Sequence, residues 1–311
     1  MFSTVIVVLP IFALILVGYV SRRISVLGPH ATGELNRFVV YLALPALLFD
    51  IMANTSWAAL YQPGFVATFG LSCACVFVLT VLIRLRRPRH LADASLDALN
   101  AAYANVGFIG IPLCLVVFGK DSLPAATVAT IMTVCVLFAV AIILIEIGLQ
   151  TERRRAHLLL KVTRSLVRNP LLVAPVLGAV IAAVGIHIPA SGEVFLKLLG
   201  GAASPCALVA LGLFLAEKQP AAQRNNDATA LLVLLKLILQ PVIAWGLATR
   251  VFGLSSALTD TAVLLSALPT GTGPFMLAEF YRREAGVTSR VILASTVLSV
   301  VTVSAYLMVA G

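Results

Sequence analysis

Apolar residues run through this chain in long blocks separated by short polar, mostly basic stretches. A helix needs about 17 to 25 predominantly apolar residues to cross the hydrocarbon core of a bilayer. Blocks of that size predict spans near 2–20, 35–53, 64–83, 95–118, 126–149, 168–186, 195–216, 229–251, 259–281 and 288–310, ten in all. Two of them are interrupted. In Ala104–Gly119 the residues Asn105, Gly107, Gly110 and Pro112 break an otherwise apolar run, and Leu268–Glu279 carries a counterpart in Pro269, Thr270, Gly271, Thr272, Gly273 and Pro274. Proline lacks the backbone donor and clashes with the carbonyl one turn back, while glycine leaves helical angles at little cost. Backbone groups freed inside hydrocarbon cost several kcal/mol unless protein buries them or they line a wet cavity. Two breaks in matching places therefore predict the binding site of a transporter.

Composition agrees with a polytopic, all-α membrane protein: 60% of residues are hydrophobic, 11% are charged, and the mean hydropathy is +1.05. A net charge of +9 would suggest nucleic acid in a soluble chain. Here the basic residues sort by loop, which leaves no reason to expect a nucleic-acid partner. Arg22, Arg23 and Arg37 follow the first span, Arg84, Arg86, Arg87 and Arg89 the third, Arg153 to Arg168 the fifth, Lys218 and Arg224 the seventh, and Arg282, Arg283 and Arg290 the ninth. Only Lys120, Lys197 and Arg250 lie in the alternate loops. By the positive-inside rule both termini are extracytoplasmic. The N-terminal run has no basic region or small-residue cleavage site before it and reads as a retained span. Cys73, Cys75, Cys114, Cys135 and Cys206 all sit in apolar stretches without metal-ligand spacing, so buried thiols are expected, with no metal and no cofactor.

The chain also repeats. An offset of 160 places Pro10 on Pro170, Gly18 on Gly178, Pro29 on Pro189 and Pro45 on Pro205, and an offset of 162 places Pro112 on Pro274. Each half holds five spans, residues 1–149 and 168–311. Five is odd, so the second half enters from the opposite side and the repeat is inverted. Residues 150–167 form the cytoplasmic joint, a solvated basic loop near the lipid surface.

The segments Leu35-Asn36-Arg37-Phe38, Leu44-Pro45-Ala46-Leu47-Leu48-Phe49 and Asn105-Val106-Gly107-Phe108-Ile109-Gly110-Ile111-Pro112-Leu113 resemble the auxin efflux carrier family. So do Ala207 to Gly212, Lys236 with Gln240-Pro241, and Ala278-Glu279-Phe280-Tyr281, in that order along nearly the whole chain. The likeness is to the family's bacterial branch of malonate or dicarboxylate permeases. It implies crossed, broken fourth and ninth helices, as in sodium/proton antiporters or bile acid:sodium symporters. It further implies a scaffold of spans 1, 2, 6 and 7, a moving domain of spans 3–5 and 8–10, and an elevator mechanism in a bacterial inner membrane. Plant members place an asparagine matching Asn105 on the substrate carboxylate. They also carry Asn-Pro-Asn where this chain has Leu268-Pro269-Thr270, which argues against an indole-bearing substrate.

An anionic substrate is expected on physical grounds as well. Amides at the start of a half-helix carry partial positive charge, and the starts expected near Ile111–Cys114 and Phe275–Leu277 would receive a carboxylate. Asn105 adds an amide donor, Gly107, Gly110, Ile111 and Pro112 shape one break, and Thr270, Gly271, Thr272, Gly273 and Pro274 the other. Asn105 and the threonines have a plainer use in helix packing. Lys236 lies about 10 Å into its span, near enough to the edge to snorkel or to form a structural pair, with a counter-ion role as the alternative. Glu279 could pair with Lys236 or Arg282, or carry a coupling proton. Asp97 and Glu146 read as hydrated interfacial acids. Neither break contains an acid, which ranks a cation/proton antiporter second, and an aromatic-carboxylate efflux carrier stands beside it. No nucleophile and base pair supports an enzyme. The small-residue run Gly200 to Ser204 suits a packed scaffold or a homodimer contact.

Overall fold

The structure, a computed structural model, describes residues 2–54, 61–86, 89–150, 163–217 and 226–310. Most of the 150–167 joint (151–162) lies outside the described residues, as do Arg87, Lys218 and Arg224. The first half contains α1 (Phe2–Arg23), α2 (Ala31–Ala53), α3 (Pro63–Leu85), α4 (Leu91–Ala102), α5 (Val106–Phe118) and α6 (Lys120–Leu149). The second contains α7 (Pro170–Val184), α8 (Ala190–Ala216), α9 (Asn226–Val251), α10 (Ser256–Ala267), α11 (Gly273–Phe280) and α12 (Ala285–Ala310). By length and composition α2, α3, α6, α8, α9 and α12 are able to cross a membrane, and α5, α7 and α10 are shorter apolar helices. Among the described residues there is no strand, only an isolated antiparallel bridge between Ala104 and Thr270.

The helices pack in two groups. In one, α1 lies along α8, and α2 lies against both α7 and α8. Glycine allows the first contact: a Cβ on Gly18 would stand 2.1 Å from the Val209 carbonyl oxygen, and one on Gly212 would stand 2.0 Å from that of Ile15. These backbones touch with no room for a side chain. In the other group α4 is surrounded by α3 and α6, while α9 packs on α3, α10 and α12. Its core combines small and aliphatic residues such as Ala98, Leu99, Ala102, Ala262, Leu265 and Val291 with the phenylalanines Phe65, Phe69, Phe138 and Phe275, all fully or almost fully buried.

Wide helical turns precede several prolines. Val39–Ala43, Val106–Gly110 and Leu235–Leu239 each end shortly before Pro45, Pro112 and Pro241. A proline has no amide to donate to the carbonyl one turn earlier and its ring presses on that carbonyl, so a widened turn relieves both problems without ending the helix.

Several charged residues at the basic end of the second group are buried or half-buried and paired. Asp97 is fully buried and accepts from Arg84 Nε at 2.6 Å and also from Arg89. Arg89 continues to Glu284 at 3.0 Å, and Arg283 grips Asp93 through two bonds of 2.6 and 2.8 Å. Glu146 is 9% exposed and accepts from the Tyr281 hydroxyl at 2.7 Å. The expectation that water solvates Asp97 and Glu146 is therefore overturned, because neighbouring helices supply the partners. Among the cysteines Cys73 and Cys114 are buried, but Cys75 is exposed on the apolar exterior of α3, so not every thiol is inside.

Candidate functional site

Both interrupted spans are broken, and the breaks meet. Helix α4 ends at Ala102 and α5 begins at Val106; α10 ends at Ala267 and α11 begins at Gly273. The unwound segments run antiparallel, with the Asn105 amide donating to the Pro269 carbonyl at 2.9 Å and the Gly271 amide to the Tyr103 carbonyl at 3.0 Å. The first break lies earlier than the prolines suggest. Pro112 sits inside α5, where the wide turn Val106–Gly110 absorbs it, and the chain leaves the helix at Tyr103–Asn105. The second half-helix likewise starts at Gly273, and the amides of Phe275 and Met276 are already spent on the Thr272 carbonyl.

Each half-helix end has its own chemistry. The carbonyl ends are closed by side chains of α9: Lys236 Nζ donates to the Ser266 carbonyl at 2.7 Å, and Gln240 Nε2 donates to the Ala102 carbonyl at 3.2 Å. Lys236 is fully buried. It does not snorkel. Its ammonium instead sits at the negative end of the α10 dipole, where a cation is favoured. Thr270 is also fully buried and knits the crossing: its hydroxyl donates to the Asn100 carbonyl at 2.8 Å, and its amide donates to Ser295 Oγ at 3.1 Å. Asn100 Nδ2 in turn donates to Thr288 at 2.8 Å.

The amide ends are open. Among the described residues no backbone carbonyl accepts from Gly107, Phe108, Thr272 or Gly273, the first-turn amides of α5 and α11. These residues line a cavity of about 350 Å³. The half-buried Asn105 lines it too, and its carboxamide has no partner among the described residues. Ile111 and Met276 line the same space, with Val39, Leu44, Leu47 and Ile51 of α2 and Gly200, Gly201, Ala203, Ser204 and Ala207 of α8 opposite. Among the described residues no aspartate or glutamate borders it.

Of the sequence-predicted site residues, then, Asn105, Gly107, Ile111, Thr272 and Gly273 share one cavity. Gly110 is buried against Leu265 and Leu268, and Pro112, Thr270, Gly271 and Pro274 do not border the cavity. Gly271 and Gly273 are held to glycine by Tyr103, whose ring would lie 2.9 Å and 2.6 Å from an added Cβ. Lys236 is behind the crossing, and Glu279 lies further along α11, with no ion pair to Lys236 or Arg282 among the described residues. Sequence reasoning missed Tyr103, Thr130 and Ser204, which also line the cavity. Tyr103 had a visible signal, since it stands two residues before Asn105.

A family described as "Membrane transport protein" matches residues 3–307. The chain belongs to that family, which the auxin efflux carriers share. A protein of Rhizobium meliloti (strain 1021), whose name proposes that it is a malonate transporter, is 32% identical over 302 residues, 96% of this chain and 93% of its own. An uncharacterized transporter of Methanothermobacter thermautotrophicus is 27% identical over 299 residues, 94% of each chain. Auxin efflux carrier component 8 of Arabidopsis thaliana is 20% identical over 347 residues, 96% of this chain and 94% of its own. The chain is thus a multi-pass membrane transporter and not an enzyme.

Proposed function

We propose that this transporter is a secondary carrier for a small organic anion, a mono- or dicarboxylate such as malonate or malate. One observation carries the reading: the amide ends of two half-helices and the free carboxamide of Asn105 converge on one cavity that, among the described residues, no carboxylate borders. Partial positive charge and unspent donors suit a carboxylate and repel a cation. The cation/proton antiporter reading lacks the acidic group it would need there.

An elevator-type cycle fits the packing. The cavity has α2 and α8 on one side and the unwound Tyr103–Asn105 segment, α5, α6 and α11 on the other, so its walls come from the two separately packed helix groups. The group of α1, α2, α7 and α8 would be the scaffold. The remaining helices would carry the crossing as one body, tied together by the Asp97 and Asp93 ion pairs. The ten-span, 5+5 inverted repeat gains support from the two breaks and their two α9 caps. The charge bias of the loops supports an inner-membrane orientation with both termini periplasmic.

A second reading, an aromatic or otherwise apolar monocarboxylate, is favoured by the cavity's opposite wall, where Val39, Leu44, Leu47 and Ile51 offer no donor. Uptake of radiolabelled malonate, malate, succinate, lactate and indole-acetate into proteoliposomes, with and without proton and sodium gradients, tests both. Transport of none of these would sink the carrier reading, and transport of indole-acetate alone would select the second.

A further inference from the structure

A second cavity, of about 410 Å³, opens between the two helix groups at the basic end of the molecule. One wall is Tyr41 of α2 with Arg164, Ser165 and Arg168, which precede α7; the other includes Glu146 of α6 and Phe280 of α11. The central cavity is bordered by Leu44 and Met276 of the same two helices, α2 and α11. Phe280 lies four residues beyond Met276, about 6 Å along the helix. The rings of Tyr41 and Phe280 meet edge-on, with centroids 5.8 Å apart, at this step from one cavity to the other. The Tyr41 side falls in the wide turn Val39–Ala43.

Among the described residues the charge of this second cavity is unbalanced. Elsewhere at this end Arg84 and Arg89 are paired with Asp97, Arg283 with Asp93, and Arg22 with Glu217. Arg164 and Arg168 are exposed and have no hydrogen-bond or ion-pair partner among the described residues. Four residues apart on one helical turn, they face the same way. The acid in the wall, Glu146, is occupied by the Tyr281 hydroxyl. A guanidinium presents donors in a planar fork that matches a carboxylate. A cleft of one sign with low-dielectric walls raises the local concentration of the opposite ion.

We propose that this second cavity is a capture site for the transported anion, where Arg164 and Arg168 gather carboxylates before the Tyr41–Phe280 contact opens toward the central cavity. It rests on the anion-carrier reading. Exposed guanidinia hold a carboxylate loosely, which suits a waiting position from which the ion must move on.

The test places a cysteine at Ser165, in the cavity wall, with the incompletely buried Cys75, Cys135 and Cys206 replaced by alanine. Its reaction rates with an anionic and a cationic methanethiosulfonate reagent are compared in nanodiscs of neutral lipid. The anionic reagent is expected to react faster, and R164Q/R168Q is expected to lower the anion-to-cation rate ratio about tenfold or more. The R164K/R168K variant should keep most of the ratio. Malonate should slow the reaction, and should still do so with Asn105→Ala. An unchanged ratio in R164Q/R168Q, or protection that disappears with Asn105→Ala, would overturn the proposal. Loss of malonate protection when anionic lipid is added would also overturn it, since a headgroup would then be the occupant. Malonate uptake by the wild-type carrier without protection at Ser165→Cys sinks this inference alone. Absence of uptake for every anion in the series sinks the carrier reading, and this one with it.

Discussion

Asn105 has its amide spent and its side chain free. The backbone donor is fixed on Pro269 by the crossing, while the carboxamide reaches the cavity without a partner among the described residues. Asn105→Ala therefore removes no internal side-chain bond, and the variant should insert and fold as the wild type does. A carboxylate that loses a donor in a site shielded from water is expected to lose about 1.5 to 3 kcal/mol, roughly ten- to hundredfold in affinity. Asn105→Asp should abolish anion binding, because it places a negative charge where the helix ends favour the substrate's. Thermal-shift titration with the transported anion checks both, and unchanged affinity in both would move the site elsewhere. Residue types tell this much of the site in advance: an asparagine beside glycines in an apolar run is conspicuous. Lys236 and Asp97 are less legible, because position along a span gives depth in the bilayer but says nothing of which helix packs over the side chain. Burial by α10 and pairing with two arginines are tertiary facts.

At the scale of the element, glycine and proline mark where helices touch or bend, and the structure separates the two uses. Gly212 faces the Ile15 carbonyl so closely that Gly212→Ala must push α1 and α8 apart, whereas Gly201 has no atom within 4 Å of an added Cβ. Overpacking of this kind costs about 1 to 3 kcal/mol. Gly212→Ala should lower the thermal midpoint in detergent clearly and Gly201→Ala should not. Equal midpoints would mean that α1 and α8 are not the close pair described. The crossing makes its own prediction. Thr270→Val keeps shape but leaves the buried Asn100 carbonyl without its donor, at a cost of about 1 kcal/mol or more, so stability should fall while Thr270→Ser restores it. The existence of both breaks can be read from the sequence; their positions cannot. Proline is the visible signal, yet Pro112 is accommodated by a wide turn, and the chain unwinds at Tyr103–Asn105 because the partner segment Leu268–Thr270 offers those residues the hydrogen bonds a helix would have given.

For the molecule as a whole, the same crossing separates polarity: carbonyl ends face α9, where Lys236 and Gln240 close them, and amide ends face a cavity shared with the other helix group. Such a site can be carried from one face of the membrane to the other only if the two groups slide past each other, and Tyr41 and Phe280 touch across that boundary. If the proposed elevator operates, this contact must break in every cycle. A Tyr41→Cys/Phe280→Cys pair bridged by a short thiol-specific linker should therefore stop anion uptake while leaving the protein folded, and reduction of a cleavable linker should restore it. Each single cysteine, treated the same way, should transport normally after the linker is removed. A fully cross-linked double variant that still carries the anion at the wild-type rate would show that the groups do not move apart here, and a carrier that works by local gating around a fixed crossing would have to replace the sliding one.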